Sequence, residues 1–356
     1  MFHRSLVRPL IIALALLSAA AQADATRPGW QEPLLARLQN IAAKQDGELG
    51  VYVKDLHSNL AVTLHAEELW YMASGIKVPV AITVLRGVER GDWNLDTRLT
   101  LAADDFVDGA GSTNQYGPGA QVSVRALLEQ MIIYSDNTAT DRLIRLVGID
   151  AVNELVGELV PEGFEPITSL ADVRRHIYRH LHPAAEQLGG RDLIRLRQAR
   201  QDNERLDKLA SLLHVPRAQL APISLNTAYT RYYSSNLNAA RLTAFGKLLE
   251  RLAYGEALGA EQTDYLLGVM SRVKTGSKRI IAGLPKDARY AHKTGTQRAR
   301  ICDSGLIETS LRGTAEPVLV VACVRGELSL AKAERTLRQV GEALNESGVL
   351  QREALN

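Results

Sequence analysis

Three short motifs follow one another along the chain, and their side chains could together perform acyl transfer. The motifs are SGIK from Ser74, SDN from Ser135 and KTG from Lys293. Each recurs by chance in long proteins, but all three in this order are rarely coincidental. Together they supply an activated serine nucleophile, a hydroxyl that relays a proton and a cationic strand that binds anions.

The first motif places a serine and a lysine three residues apart. On a helix, Ser74 and Lys77 would lie on one face, and the free N–H groups at a helix start favour a developing oxyanion. A serine hydroxyl needs a base against it, and Lys77 can be that base if burial and a cation such as Lys293 lower its pKa. Alone, the pair would fit a helix cap and a solvated lysine; the other motifs favour catalysis.

The second motif lies where an apolar helix ends at a polar break. There Ser135 could relay a proton to a leaving nitrogen. Asn137 could hydrogen-bond both a substrate amide and Lys77, while Asp136 could hold the loop together. An N-cap for the following helix is the simpler interpretation of this motif, and both interpretations can hold at once.

The third motif is predicted to lie on a strand, where side chains alternate between two faces. Lys293 and Gly295 would therefore share one face, and Gly295 would let a substrate approach the backbone closely. The Thr296 N–H could then complete an oxyanion hole with the N–H of Ser74.

Elements from both ends of the chain must position these motifs. Apolar periodicity and turn residues predict helices at residues 31–44, 77–90, 124–133, 138–147 and 330–344. Alternation predicts strands at residues 50–56, 59–64, 290–294, 300–307 and 317–324. Early strands, a helical middle and late strands imply one sheet built from both chain ends, with helices packed on it.

Residues 171–221 differ in composition from the rest of the chain. They hold ten basic against six acidic residues and four of the eight histidines, which is typical of an inserted helical hairpin or lid rather than core. His176 and His180 are four apart and would face one way on a helix, with His182 nearby, so they could bind zinc. Solvated histidines on a basic helix are the favoured alternative.

The first 23 residues have the pattern of an export signal: a basic start, an apolar run too short to span a bilayer, and a cleavage site after Ala23. No cysteine stands at that site, so a lipid anchor is not expected. Its removal leaves 40 basic and 40 acidic residues, so charge gives no argument for nucleic acid or an anionic membrane as a partner.

Two cysteines, Cys302 and Cys323, lie in the two late strands. If these strands pair as a hairpin centred near residues 311–313, the sulfurs could be cross-strand neighbours, and an exported compartment permits a disulfide. Two buried free thiols are the favoured alternative.

On its three motifs the chain resembles the penicillin-recognising serine hydrolases, specifically the class A serine β-lactamases and their close relatives. The resemblance implies an α/β (α+β) fold with a five-stranded antiparallel sheet beside an all-helical subdomain. It divides the mature chain, 24–356, into a sheet part (24–70 and 270–356) and a helical part (71–269). It also implies that Arg279 and Thr294 bind a substrate carboxylate, with Arg298 and Arg300 as competing candidates.

One departure from the family pattern concerns deacylation. Class A enzymes carry a water-activating glutamate in the pattern Glu-x-x-Leu-Asn, whereas here Pro222 stands three residues before Leu225-Asn226 and no glutamate stands three residues before Leu237-Asn238. The resemblance therefore implies acylation of Ser74 and a non-standard route of deacylation.

Three functions follow as expectations. The first is a periplasmic or secreted β-lactamase whose motifs require no cofactor. A zinc-bound water would be an alternative to the missing glutamate in deacylation. The second is a D-alanyl-D-alanine carboxypeptidase or esterase acting on a D-alanyl peptide or ester. The third is a penicillin-binding protein that turns over slowly.

Overall fold

The computed structural model of the protein describes residues 29–313 and 316–351, so the predicted export signal lies outside the described residues. Within these ranges the α-helices are α1 (Gln31–Ala43), α2 (Lys77–Arg90), α3 (Val124–Ile133), α4 (Asn137–Val147), α5 (Ile149–Leu159), α6 (Leu170–Arg179), α7 (Gly190–Gln198), α8 (Asp202–Leu212), α9 (Leu225–Tyr233), α10 (Leu242–Ala253), α11 (Ala260–Met270) and α12 (Leu330–Ser347). The strands of the same ranges are β1 (Glu48–Asp55), β2 (Ala61–Leu64), β3 (Leu69–Tyr71), β4 (Arg98–Thr100), β5 (Gln121–Ser123), β6 (Ala239–Arg241), β7 (Arg289–Gln297), β8 (Arg300–Glu308) and β9 (Val318–Arg325).

The main sheet combines strands from both ends of the chain. Its order is β2-β1-β9-β8-β7, and every neighbouring pair is antiparallel. The five-stranded antiparallel sheet that the sequence predicted is therefore confirmed. Strand β7, which carries the KTG motif, lies at one edge of the sheet.

Strand β9 shows why the sheet lies between two helical layers. Its side chains alternate between two apolar clusters, so both of its faces are buried. Leu319, Val321 and Cys323 pack into the core shared with the helical part. Val320 packs on the other face with Leu337 of α12. A strand that is buried on both faces has a continuous apolar sequence, and residues 318–324 have such a sequence.

Helix α2 runs through the middle of the helical part. Its side chains from Lys77 to Leu85 are all buried, and Pro79 lies in its first turn, where a missing N–H costs little. The helix ends at Gly91, whose φ of +78° is the left-handed conformation that glycine adopts easily. This helix fixes the SGIK motif at the boundary with the sheet.

The basic segment 171–221 is helical, as predicted, but it is not a lid separate from the core. Ile177 of α6, Leu196 of α7 and Leu209 of α8 are fully buried and belong to the main apolar cluster. The expectation of a lid was wrong because the average composition of residues 171–221 is dominated by their many exposed charged residues. It gives no weight to the leucines that repeat at helical spacing on the inner faces.

The two cysteines form a disulfide. Cys302 on β8 and Cys323 on β9 lie directly opposite each other in the strand register. The favoured expectation of two free thiols was wrong, because the sequence predicts the hairpin but not the register that brings the two sulfurs together.

Candidate active site

The SGIK motif forms a tight turn that leads directly into α2. Ala73–Ile76 is a 3-10 helix, and Ala73 before the serine has a φ of +49°, a conformation that costs a non-glycine residue energy and that recurs at active sites. Ala73, Gly75 and Ile76 are buried, whereas Ser74 is partly exposed. The turn therefore presents the hydroxyl of Ser74 at the surface of the site.

Lys77 is fully buried and its amine is surrounded by polar partners. Its Nζ donates to the carbonyl oxygen of Ser135 at 2.7 Å, to Ser135 Oγ at 3.2 Å and to Asn137 Oδ1 at 2.7 Å. Burial lowers the pKa of Lys77 to about 7, with the carboxylates of Asp136 and Asp141 opposing the shift and Arg174 adding to it. At neutral pH the amine is poised to accept a proton.

Ser135 lies between Lys77 and the third motif. The Nζ of Lys293 donates to Ser135 Oγ at 3.0 Å, and Ser135 itself has a φ of +61°. The pKa of Lys293 is lowered well below its usual range, mainly by burial and then by repulsion from Lys77 and Arg279. The carboxylate of Asp303 opposes this shift. The strained backbone at Ser135 thus places one hydroxyl between two amines.

The rest of the SDN motif holds α4 and the loop before it. Asp136 accepts from the backbone N–H of Ala139 at 2.9 Å, which caps α4, and from that of Thr113 at 2.8 Å, which fixes the loop at residues 109–119. Asn137 donates its amide to the carbonyl oxygen of Asp108 at 2.6 Å. The SDN motif therefore both caps α4 and connects residues of the site, so the two interpretations of the sequence apply at once.

Strand β7 packs directly against the turn at Ala73–Ile76, which is the candidate nucleophile turn. A Cβ on Gly295 would lie 2.4 Å from the carbonyl oxygen of Met72 and 3.3 Å from the Cβ of Ala73. The glycine is thus required by the close approach of the strand to the turn that carries Ser74, the candidate nucleophile. Next to it, Thr294 shares a hydrogen bond between hydroxyls with Thr275.

Arg279 lies beneath this strand and is 2% exposed. Its Nη1 donates to the carbonyl oxygens of Gly295 and Cys302, each at 3.0 Å. Its Nη2 donates to Thr296 Oγ1 at 2.7 Å. These bonds brace the end of β7. Of the two competing arginines, Arg298 binds Asp202 with two hydrogen bonds.

Sequence reasoning missed two charged residues beside the motifs. Arg174 of α6 donates from Nε to Asp108 Oδ1 at 2.7 Å, and both side chains are almost buried. Asp108 is also the residue whose carbonyl oxygen binds Asn137. No motif marks either residue, because Arg174 is one of many arginines in its segment and the pair is 66 residues apart in sequence.

The structure does not bring a third metal ligand to the predicted histidine pair. His176 stacks on the ring of Tyr232. The pKa of His180 is lowered by burial and, to a smaller extent, by the positive charge of Arg179. The ring of His182 accepts from the backbone N–H of Ala184 at 3.2 Å. Within residues 29–313 and 316–351 no group of three or more histidine, cysteine or acidic residues could hold a metal ion.

The two Leu-Asn pairs considered for the glutamate pattern take structural roles. Asn226 is exposed on α9 and accepts from Arg298. Asn238 is buried and donates to Thr168 Oγ1 at 2.8 Å and to the hydroxyl of Tyr232 at 2.9 Å.

Three buried carboxylates lie around Lys77 and Asn137, and each is engaged. Asp108 binds Arg174 and Asp136 caps α4. Asp141 accepts from the backbone N–H groups of Leu170 and Ala171, each at 2.8 Å. Burial nevertheless raises the pKa of Asp141 to about 7.

Ser74 is partly exposed, Lys77 is buried with a lowered pKa, and Ser135 lies between Lys77 and Lys293. This arrangement fits a hydrolase with an active-site serine. The sequence model of the β-lactamase enzyme family matches residues 33–175 and 186–347. The chain therefore belongs to the β-lactamase enzyme family and is a serine hydrolase of that family. The match omits residues 176–185, which include the end of α6 and the turn after it.

Individual relatives are distant, and the share of this chain that they match differs between them. β-Lactamase VEB-1 of Pseudomonas aeruginosa is 21% identical over 81% of this chain and 79% of its own length. β-Lactamase L2 of Stenotrophomonas maltophilia is 33% identical over 38% of this chain and 46% of its own.

Solved structures share the fold. A β-lactamase from Xanthomonas campestris has a TM-score of 0.67 and 21% identity, covering 89% of this chain and 98% of that one. PBP-A has a TM-score of 0.64 and 21% identity, covering 88% of this chain and 95% of that one. A PBP-A variant solved as an acyl-enzyme complex with penicillin G has a TM-score of 0.67 and 20% identity, covering 90% and 98%.

Proposed function

We propose that the protein is an exported serine β-lactamase-like hydrolase that opens the β-lactam ring through an acyl-enzyme on Ser74. One observation carries the proposal. A partly exposed serine lies three residues before a fully buried lysine, and the amine of that lysine is bonded to both Ser135 and Asn137. This arrangement brings a base and a proton relay together beside the proposed nucleophile.

In the acylation step, the neutral amine of Lys77 takes the proton from Ser74 Oγ as that oxygen bonds to the β-lactam carbonyl carbon. The negative charge moves to the carbonyl oxygen. The N–H groups of Ser74 and Thr296 stabilise it there, because donors fixed before the reaction need no reorganisation. The close packing of β7 on the nucleophile turn supports this pairing of N–H groups.

The proton then passes to the leaving nitrogen through Ser135. Lys77 gives its proton to Ser135 Oγ, and the Ser135 hydroxyl proton goes to the ring nitrogen as the carbon–nitrogen bond breaks. The distances of 3.2 Å from Lys77 and 3.0 Å from Lys293 to this oxygen support the relay. Lys77 leaves this step neutral, and the ring nitrogen becomes an amine.

Substrate binding falls to the edge strand and to Asn137. Lys293 and Thr294 would receive the substrate carboxylate, and that anion would favour the charged form of a lysine whose pKa burial lowers. Gly295 and Thr296 would offer backbone groups to the substrate. Arg279 would support this binding indirectly, through its hydrogen bond to Thr296 Oγ1. The family resemblance implied a direct contact with the carboxylate instead.

Deacylation is the step for which a non-standard route is proposed. The buried carboxylates Asp108, Asp136 and Asp141 are all engaged by protein groups. Lys77 is again neutral after the proton has reached the leaving nitrogen, so it is a base already placed beside the ester. We infer that it activates the attacking water, and that turnover is slower than acylation.

The same engaged carboxylates favour a second candidate function. An acyl-enzyme without a dedicated water-activating carboxylate suits a D-alanyl-D-alanine carboxypeptidase, an esterase or a penicillin-binding protein that turns over slowly. The fold shared with PBP-A agrees with this candidate. The pattern of residues 1–23 supports export for both candidates, and none of the helices in the described ranges is long and apolar enough to cross a membrane.

Steady-state turnover separates the two candidates. The full chain would be assayed against a penicillin, a chromogenic cephalosporin and an N-acylated peptide that ends in D-alanyl-D-alanine, with Ser74→Ala as the control. We expect β-lactam hydrolysis by the wild type and none by the variant. Release of D-alanine without β-lactam hydrolysis would replace the first candidate by the second.

A further inference from the structure

Helix α6 places a nearly buried guanidinium at the back of the site. The side chains of Arg174 and Asp108 are 12% and 7% exposed, and the Nε–Oδ1 distance is 2.7 Å. The carbonyl oxygen of Asp108 accepts from Asn137 at 2.6 Å, and Asn137 in turn accepts from Lys77 at 2.7 Å. An unbroken chain of contacts therefore joins α6 to the base of the reaction.

The start of α6 is fixed to α4 by a second set of bonds. Asp141 accepts from the backbone N–H groups of Leu170 and Ala171, each at 2.8 Å. Asp141 lies one helical turn after Asn137, and Arg174 lies one turn after Leu170. Helix α6 is thus tied to α4 directly through Asp141 and indirectly through Asp108, which binds both Arg174 and Asn137.

Charged groups face Lys77 from three elements. Asp136 and Asp141 belong to the start of α4, and Arg174 belongs to α6. Lys293 comes from β7, and Lys77 and Lys293 both bond to Ser135 Oγ. Arg174 is always protonated, so it contributes a permanent positive charge, and Asp108 is the carboxylate that partly neutralises it.

We propose that the Asp108–Arg174 pair is a positioning element for acylation, which holds Asn137 against Lys77 and fixes a positive charge beside the lysine amine. The inference rests on the proposed function, since it needs Lys77 as the base. Neither residue has to touch the substrate, because both act through Asn137 and Lys77.

Two substitutions shift the pH dependence of acylation in opposite directions. Arg174→Gln removes a positive charge and makes protonation of Lys77 easier, so the midpoint of acylation moves to higher pH. Asp108→Asn leaves the guanidinium without its counter-charge, so the midpoint moves to lower pH. We expect each midpoint to shift by about half a pH unit or more, because a buried charge in this chain of contacts changes the free energy of protonating Lys77. A role confined to packing would slow both variants without opposite shifts.

The test measures the rate of penicillin adduct formation on the full chain between about pH 5 and pH 9, by rapid quench and intact mass. Arg174→Lys keeps the charge and should keep the wild-type midpoint. Arg175→Gln is the matched control, because Arg175 lies on the same helix but bonds to Asp172 and to the carbonyl oxygen of Leu188. Thermal unfolding of each variant shows whether it is folded.

Equal midpoints in wild type, Arg174→Gln and Asp108→Asn would overturn the inference while leaving the proposed function intact. If Arg174→Gln does not fold, Asp108→Asn decides alone, and an unshifted midpoint overturns the inference. A wild type that forms no adduct at any pH would overturn the proposed function and this inference with it.

Discussion

The side-chain nitrogen of Lys293 lies 3.0 Å from the hydroxyl oxygen of Ser135. Lys77 approaches the same oxygen at 3.2 Å. A protonated amine can only donate a hydrogen bond, whereas a neutral amine can accept one. The Ser135 hydroxyl can therefore accept from one lysine and donate to the other. Because Lys77 belongs to α2 and Lys293 to β7, this one oxygen also joins the helical part to the sheet.

Replacing Ser135 by alanine should break the relay while leaving the nucleophile and base in place. We expect the rate of acylation by a penicillin to fall by about 10²–10⁴-fold, the usual contribution of a positioned proton-transfer group. The measurement is adduct formation by intact mass, with Ser234→Ala as the control, since its hydroxyl donates to the carbonyl oxygen of Thr230 at the end of α9. A wild-type rate in Ser135→Ala would show that the proton travels by another route.

The rate of acylation should depend on pH through Lys77. Only the neutral amine can take the Ser74 proton, and its pKa is about 7. The rate should therefore rise roughly tenfold per pH unit below that value and level off above it. Lys77→Ala should be slower by orders of magnitude and lose this dependence. A wild-type rate that does not change between pH 5 and pH 9 would contradict Lys77 as the base.

Gly295→Ala tests the close approach of β7 to the nucleophile turn. The added methyl group would lie 2.4 Å from the carbonyl oxygen of Met72, so the turn or the strand must move. We expect a loss of about 1–3 kcal/mol in the free energy of unfolding together with slower acylation. Denaturant unfolding and the mass assay measure the two effects. Gly117→Ala is the control, because a Cβ there meets nothing within 4 Å.

The Cys302–Cys323 disulfide should stabilise the sheet next to the substrate strand. Its loss typically lowers the free energy of unfolding by about 2–4 kcal/mol. Denaturant unfolding with and without a reductant should show a difference of this size in the wild type. The double variant Cys302→Ala, Cys323→Ala should show none. Equal stability of the wild type in both conditions would show that the bond contributes nothing to folding.

The sequence predicted those parts of the fold that depend on local pattern. Helix α3 has its predicted bounds because Ser123 caps it by accepting from the N–H of Ala126 and the apolar run ends at Ile133. Gly91 ends α2 as predicted. One sheet built from both chain ends follows from the apolar runs there, and the family resemblance implied its five antiparallel strands.

The remaining features depend on contacts between distant residues. The register that pairs Cys302 with Cys323 has no local signal. Arg174 meets Asp108 across 66 residues, and no spacing marks either one. The burial of α6–α8 follows from their few leucines meeting the core, which the composition of a basic segment conceals.

The central claim is that Ser74 forms the acyl-enzyme. An intact-mass time course of the protein with a penicillin tests it directly, with Ser74→Ala treated in parallel and the labelled peptide identified after proteolysis. We predict a wild-type adduct of the mass of the intact drug on the peptide that contains Ser74, followed by its loss as hydrolysed drug accumulates, and no adduct on the variant. An equal adduct on Ser74→Ala, or none on the wild type, would contradict the account.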